Sequence, residues 1–298
     1  MRCGSAITSW SDAGSNPSMR KGTTAEARLL GRLSAGTSLK GHWPEYLMEA
    51  AELGIFMISA GVFTALLESP RSFLGRAHLA PSFCRALIGI AMGGTAAGLI
   101  YSPWGKRSGA HMNPAITLTF LRLGKMPPWD AFFYILFQFA GGLAGVFLTA
   151  WILGAAFTQP PVNYVATIPG PAGSAAAFAG ELTISIIIMG TILYVSNSQA
   201  VARFTGLFAG LLIASFVEFE APFSGFGMNP ARTLASALPG GIWTGLWIYF
   251  TAAPLGMLLA AQSYLGVRSL DSIQCCKLHH SSRRPCIFCG RGVLPEFR

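Results

Sequence analysis

Six apolar runs, at about 46–67, 84–101, 129–154, 174–196, 203–219 and 243–266, constrain this chain more than any other feature. Each is close to the ~20 residues a helix needs to cross ~30 Å of hydrocarbon. Inside a bilayer every backbone N–H and C=O must find its partner within the protein, so such runs fold as helices. The composition agrees. Only 11% of the residues are charged and 52% are hydrophobic, with a mean hydropathy of +0.50; an ordinary soluble domain carries roughly 25% charged residues. The expected fold class is an all-α membrane protein, and 298 residues suit one bundle.

The net charge of +9 does not call for a nucleic-acid partner. Seventeen of the 21 Lys and Arg residues fall in four places: the N-terminal segment, 102–125, 197–203 and the C-terminal tail. The other side of the spans has only Arg71, Arg76, Arg85 and Arg232. Under the positive-inside rule both termini are expected in the cytoplasm. The first 40 residues are rich in Ser, Gly, Thr and Arg without an apolar core, so they read as a loosely attached segment and not as a signal peptide.

Two further segments, 113–122 and 229–238, are only about ten residues long, or roughly 15 Å as helix. Neither spans alone; two meeting end to end would. They begin inside two similar stretches, "SGAHMNPAIT" at 108–117 and "SGFGMNPART" at 224–233. The first follows two spans and the second follows five, so the same peptide is presented in opposite orientations. "ELGIFMISAG" from Glu52 and "ELTISIIIMG" from Glu181 also match, each early in the first helix of its half. The chain is an inverted repeat.

Asparagine is a strong N-cap, and proline at the first helical position loses only an N–H that would be orphaned anyway. Capping alone accounts for one Asn-Pro-Ala; two copies, on half-length helices in opposed halves, point to function. With the amide oxygens of Asn113 and Asn229 used in capping, their NH2 groups are expected to be free to donate to a passing molecule. Two helix N-termini at the midplane add positive potential, which repels cations and interrupts a proton wire.

These motifs, with Glu52 and Glu181, resemble the aquaporin and glycerol-facilitator (major intrinsic protein) family, here of bacterial type, over about residues 44–266. The resemblance implies six tilted helices plus two re-entrant half-helices, one pore per monomer and a homotetramer in the cell (inner or plasma) membrane. It divides the chain into a polar N-terminal segment (1–43), a channel domain (44–266; repeats about 44–154 and 174–266) and a basic Cys/His-containing tail (267–298). It makes Asn113, Pro114, Ala115, Asn229, Pro230 and Ala231 the pore motifs. It gives Glu52 and Glu181 the task of bracing the re-entrant loops by accepting backbone N–H bonds. Arg232, in the first turn of the second half-helix, opposes the helix dipole, whereas Ile116 stands at the matching place in the first. It resembles the family's selectivity-filter arginine, with Phe226, Val217 and Met92 (or Gly93) completing the filter by spacing.

The solute markers divide. Strict water pores of the family usually have His where Val217 stands, which widens the expectation to small neutral solutes. Glycerol pores usually have Asp where this chain has Thr233. Ala237 and the pair Tyr249–Phe250 resemble the water-selective group. The function expected is a passive channel for water that excludes protons and ions, with glycerol or other small neutral solutes as the alternative. A secondary transporter is the competing class, since it too uses inverted repeats. An enzyme is not expected: the spans carry neither HExxH nor G-x-S-x-G, and His111 reads as a hydrogen-bonded loop residue. No cofactor is expected. Glu218 and Glu220 close the fifth span, either solvated at the interface or fixing the second re-entrant loop. In the tail, Cys275, Cys276, His279, His280, Cys286 and Cys289 offer soft ligands at zinc-like spacing. A reduced, metal-free tail is the other reading, and the doubled Cys-Cys and His-His leave any ligand set ambiguous; no metal site is assigned.

Overall fold

The computed structural model describes residues 34–281 and 285–290. The segment 1–33, with Cys3, and the pair Arg283–Arg284 lie outside the described residues. Among the described residues, six helices are long and apolar enough to cross a membrane: α1 (Ala35–Glu68), α2 (Pro81–Tyr101), α4 (Pro128–Leu153), α5 (Gly173–Ser196), α6 (Thr205–Phe219) and α8 (Leu246–Val267). The two half-length helices are α3 (Pro114–Arg122) and α7 (Pro230–Gly240). No strand occurs among the described residues.

The first span begins eleven residues before its apolar run, so 35–43, expected to be a polar segment, is helical. Polar contacts, which hydropathy does not register, hold this extension. The Ser34 side chain accepts from Thr37 N at 3.2 Å. Tyr46 Oη donates to both Ser38 O and Asp130. His42 meets Asp130 at 2.8 Å. Glu45 accepts from Arg107 Nε at 2.7 Å.

The packing repeats the inversion. The most extensive pairings are α1 with α4, α5 with α8, and α2 with α6. The first two are equivalent across the repeats, and the third joins the repeats to each other. Each half-helix packs on the opposite repeat, α3 against α8 and α7 against α4. Glycine makes the close approaches possible, as is usual where lipid supplies no hydrophobic drive between helices. A Cβ on Gly141 would collide with the Ala50 carbonyl, and one on Gly93 with the Gly210 carbonyl.

Candidate functional site

The two re-entrant loops have the same backbone. Gly109, Ala110 and Met112 have positive φ (114°, 55° and 49°), as do Gly225, Phe226 and Met228 (81°, 56° and 50°). Left-handed backbone costs a residue with a Cβ roughly 1–2 kcal/mol. It is held here by bonds to buried groups. Ser108 Oγ accepts from Ala110 N, and Ser224 Oγ from Phe226 N, both at 3.0 Å. Tyr134 Oη donates to Ser108 O, and Tyr249 Oη to Ser224 O. Sequence reasoning missed both Tyr–Ser pairs, although Ser108 and Ser224 head the duplicated stretch.

Glu181 accepts from Gly227 N and Met228 N, both at 2.5 Å, and from Ser224 Oγ at 2.7 Å. In the first repeat the expectation for Glu52 needs correction. Glu49 accepts from His111 N at 2.9 Å and Met112 N at 2.7 Å, whereas among the described residues Glu52 accepts from Ser108 Oγ alone, at 3.1–3.2 Å. One helical turn separates the two, so both carboxylates face the loop, but Glu49 is level with its N–H groups. Gln138 Nε2 supports Glu49 at 2.8 Å.

From these loops the half-helices start. Asn113 Oδ1 accepts from Ala115 N at 2.9 Å. Asn229 Oδ1 accepts from Ala231 N at 3.0 Å and Arg232 N at 3.2 Å. Pro114 and Pro230 open their helices, followed by the fully buried Ala115 and Ala231. The amide nitrogens are not wholly free. Asn113 Nδ2 donates to Met228 O at 2.8 Å and Asn229 Nδ2 to Met112 O at 2.6 Å. Each NH2 has two hydrogens, so one fastens the opposite loop and one is left over. The tips of the two half-helices are thus tied together.

Asn113 and Asn229 line a cavity between the repeats. Its walls are apolar, with Leu53, Phe56, Ile188, Ile192, Ala209 and Ile213. Phe226 and Arg232 line it on the side of the second loop, His111 and Leu278 on the side of the first. Met92 and Val217 were expected beside Phe226 and Arg232, but among the described residues neither lines this cavity; both are buried, at 2% and 6% exposure. The close packing of α2 on α6 explains this. Gly89 lies against Val217 Cβ, and Gly93 is directed at the Gly210 backbone, so Ala96 and Ile100 are the α2 residues that reach the lumen.

Arg232 is buried, with Nη1 donating to Thr167 Oγ1, a residue of the long loop between α4 and α5. Thr167 was not foreseen, because nothing local marks it. Thr233 and Ala237 are buried, and Phe250 stacks on Phe139. Glu218 approaches Arg85 at 4.0 Å. Burial, then the charge of Glu181, pushes the Glu220 carboxyl up to about 7. His111 Nε2 meets the Cys276 carbonyl at 2.8 Å and Nδ1 meets Thr117 Oγ1, on the first half-helix, at 3.0 Å. A carbonyl only accepts, so Nε2 carries a proton, and both ring nitrogens are engaged structurally.

Aquaporin NIP2-3 of Zea mays is 37% identical over 171 residues, 57% of this chain and 54% of that protein. A probable aquaporin NIP-type of Nicotiana alata is 35% identical over 166 residues, 55% of this chain and 59% of that one. The chain thus spans little more than half the length of the curated relatives it matches. These relatives are plant proteins, so the expected bacterial type draws no support from them. The X-ray structure of the aquaglyceroporin from Plasmodium falciparum shares the fold, with a TM-score of 0.65 at 19% identity, covering 75% of this chain and 96% of that one. The sequence pattern of the family described as Major intrinsic protein matches residues 46–264. Because that match contains all six spans' apolar cores and both Asn-Pro loops, this integral membrane protein belongs to the major intrinsic protein family.

Proposed function

We propose that the protein is a passive channel that conducts water and excludes protons and ions, with both termini in the cytoplasm, a plasma or inner membrane location, and a homotetrameric assembly as the family resemblance implies. The observation that carries this reading is the reciprocal pair of bonds from Asn113 to Met228 and from Asn229 to Met112. It holds two amide groups rigidly at the cavity wall, each with one N–H left to donate.

A water whose oxygen accepts from both amides turns its own hydrogens away from them. It then cannot relay a proton through its neighbours. The N-termini of α3 and α7 add positive potential at the same level, which repels hydronium and metal cations. The apolar walls offer a single file of water few competing partners. Arg232 and Phe226, one charged and one bulky, form a narrow polar point at which neutral molecules are selected. Proposed pore residues are therefore Asn113, Asn229, Phe226 and Arg232, with Glu49 and Glu181 positioning the loops.

Stopped-flow light scattering of proteoliposomes tests this. Shrinkage in sucrose faster than that of empty liposomes, with low activation energy and no acidification of the lumen, is expected. Rapid re-swelling in glycerol would assign the alternative solute class. Saturable uptake coupled to an ion gradient would overturn the channel reading.

A further inference from the structure

The tail beyond α8 folds back on the face of the bundle from which the first re-entrant loop enters. Gln274 N donates to Asn197 Oδ1 at 2.8 Å. The Cys276 carbonyl meets His111 Nε2, and Leu278 N donates to Gly109 O at 3.1 Å. Lys277 Nζ donates to Lys106 O at 3.2 Å. His279 lies edge-on to Tyr101 and Phe288 edge-on to Tyr134. Cys276, Leu278 and Phe288 are buried in the same core as the spans. Leu278 reaches furthest, because its side chain lines the cavity together with Ala110, His111 and Asn113.

Four side chains of this tail converge. The ligand atoms of Cys275, His280, Cys286 and Cys289 all lie within 4.8 Å of one another. Cys275 Sγ is 3.7 Å from Cys286 Sγ, and His280 Nε2 is 3.1 Å from Cys289 Sγ. A disulfide needs ~2.05 Å between sulfurs, and these cysteines are free. Around a tetrahedral zinc, with Zn–S of ~2.3 Å and Zn–N of ~2.0–2.1 Å, donor atoms stand about 3.5–3.8 Å apart. The observed separations bracket that spacing. The ambiguity of the doubled residues also narrows: the converging group takes Cys275 and His280 and leaves out Cys276 and His279, and the His279 ring lies against Tyr101.

We propose that Cys275, His280, Cys286 and Cys289 bind one zinc ion, and that the knuckle it closes seats Leu278 as a gate in the tail-side mouth of the lumen. Leu278 lies between two of the ligands in sequence. Closing the loop from Cys275 to His280 therefore restricts the apex that presents residues 276–278 to the re-entrant loop. A structural zinc site contributes folding energy directly, so removing the metal loosens the knuckle and withdraws Leu278. The metal site stands on the tail geometry alone, while the gate rests on the channel reading above.

The experiment uses the full-length protein purified under reducing conditions. Elemental analysis should find about one zinc per chain, and cobalt exchange should give tetrahedral ligand-field and thiolate charge-transfer bands. Cys286→Ser and Cys289→Ser should lose both signals. Leu278→Ala should keep the zinc. In proteoliposomes, Leu278→Ala and chelator-treated wild type should conduct water several-fold faster than untreated wild type, and added zinc should reverse the chelator effect only. Chelation of wild type serves even if the serine variants fail to fold. Absence of bound zinc and of the cobalt bands overturns the metal site. Zinc binding with unchanged permeability in Leu278→Ala and after chelation overturns the gate. If wild type and Leu278→Ala both match empty liposomes, the gate falls with the channel reading, while stoichiometry still decides the metal site.

Discussion

Glu49 and Glu52, one turn apart on α1, share between them the bonds that Glu181 alone makes in the second repeat. Glu49 takes the two backbone N–H groups and Glu52 takes the serine hydroxyl; Glu181 takes both kinds. Both first-repeat carboxylates are fully buried.

This division predicts unequal effects. Glu49→Gln places an NH2 group against a backbone N–H and strands a buried donor, at a cost of about 2–4 kcal/mol. Glu52→Gln keeps an acceptor for Ser108 and removes one of two neighbouring buried carboxylates, so it should change stability by less than about 1 kcal/mol. Thermal unfolding in detergent, followed by tryptophan fluorescence, checks the order. Equal destabilisation would reject the division.

The Asn–Met ties predict coupling between the repeats. Asn113→Ala and Asn229→Ala each lose a cap and a cross-repeat bond, about 1 kcal/mol apiece. Both should raise proton conductance in proteoliposomes loaded with a pH dye. The double variant should lose less stability than the two single losses added together, because both residues hold one junction. Strict additivity would count against a shared junction.

Arg232 and Thr167 predict a change in selectivity. Arg232→Val removes the buried cation beside Phe226, so glycerol flux and cation leak should both increase. Thr167→Ala frees Nη1 and should alter the water-to-glycerol ratio without admitting cations. Unchanged glycerol and cation flux in Arg232→Val would remove this residue from the selective point.

Glycines at helix contacts should differ sharply from those elsewhere. Gly141→Ala forces α1 and α4 apart at Ala50 and should cost about 1–3 kcal/mol or more. A Cβ on Gly98 or Gly190 meets nothing within 4 Å, so alanine there should be neutral or add up to ~1 kcal/mol through helix propensity. Detergent melting curves of the three variants decide.

Glu220 predicts a pH effect. Its carboxyl is raised from 4.5 to about 7, first by burial and then by Glu181. The raised group favours the folded state fully below about 4.5, and that contribution is lost as pH rises through about 7. Glu220→Gln should therefore melt like wild type at acid pH and higher than wild type at pH above 7. Parallel pH–stability curves would contradict it.

Local chemistry was enough to read the six spans, the two half-helices and the starts at Asn113 and Asn229. Apolar length and Asn-Pro capping act within a few residues, so they are written in the chain itself. The rotation of α1 that levels Glu49 with the loop is not local, and a shift of three residues is invisible to a sequence repeat that matches on type. The same holds for Met92 and Val217, which glycine-mediated contact between α2 and α6 keeps from the cavity. The tail shows the limit most plainly: its cysteines and histidines were legible as soft donors without a defined set, but only folding back onto Gly109 and His111 brought four of them together and set Leu278 against the cavity, because contacts over 160 residues apart are decided by packing and not by neighbours in sequence.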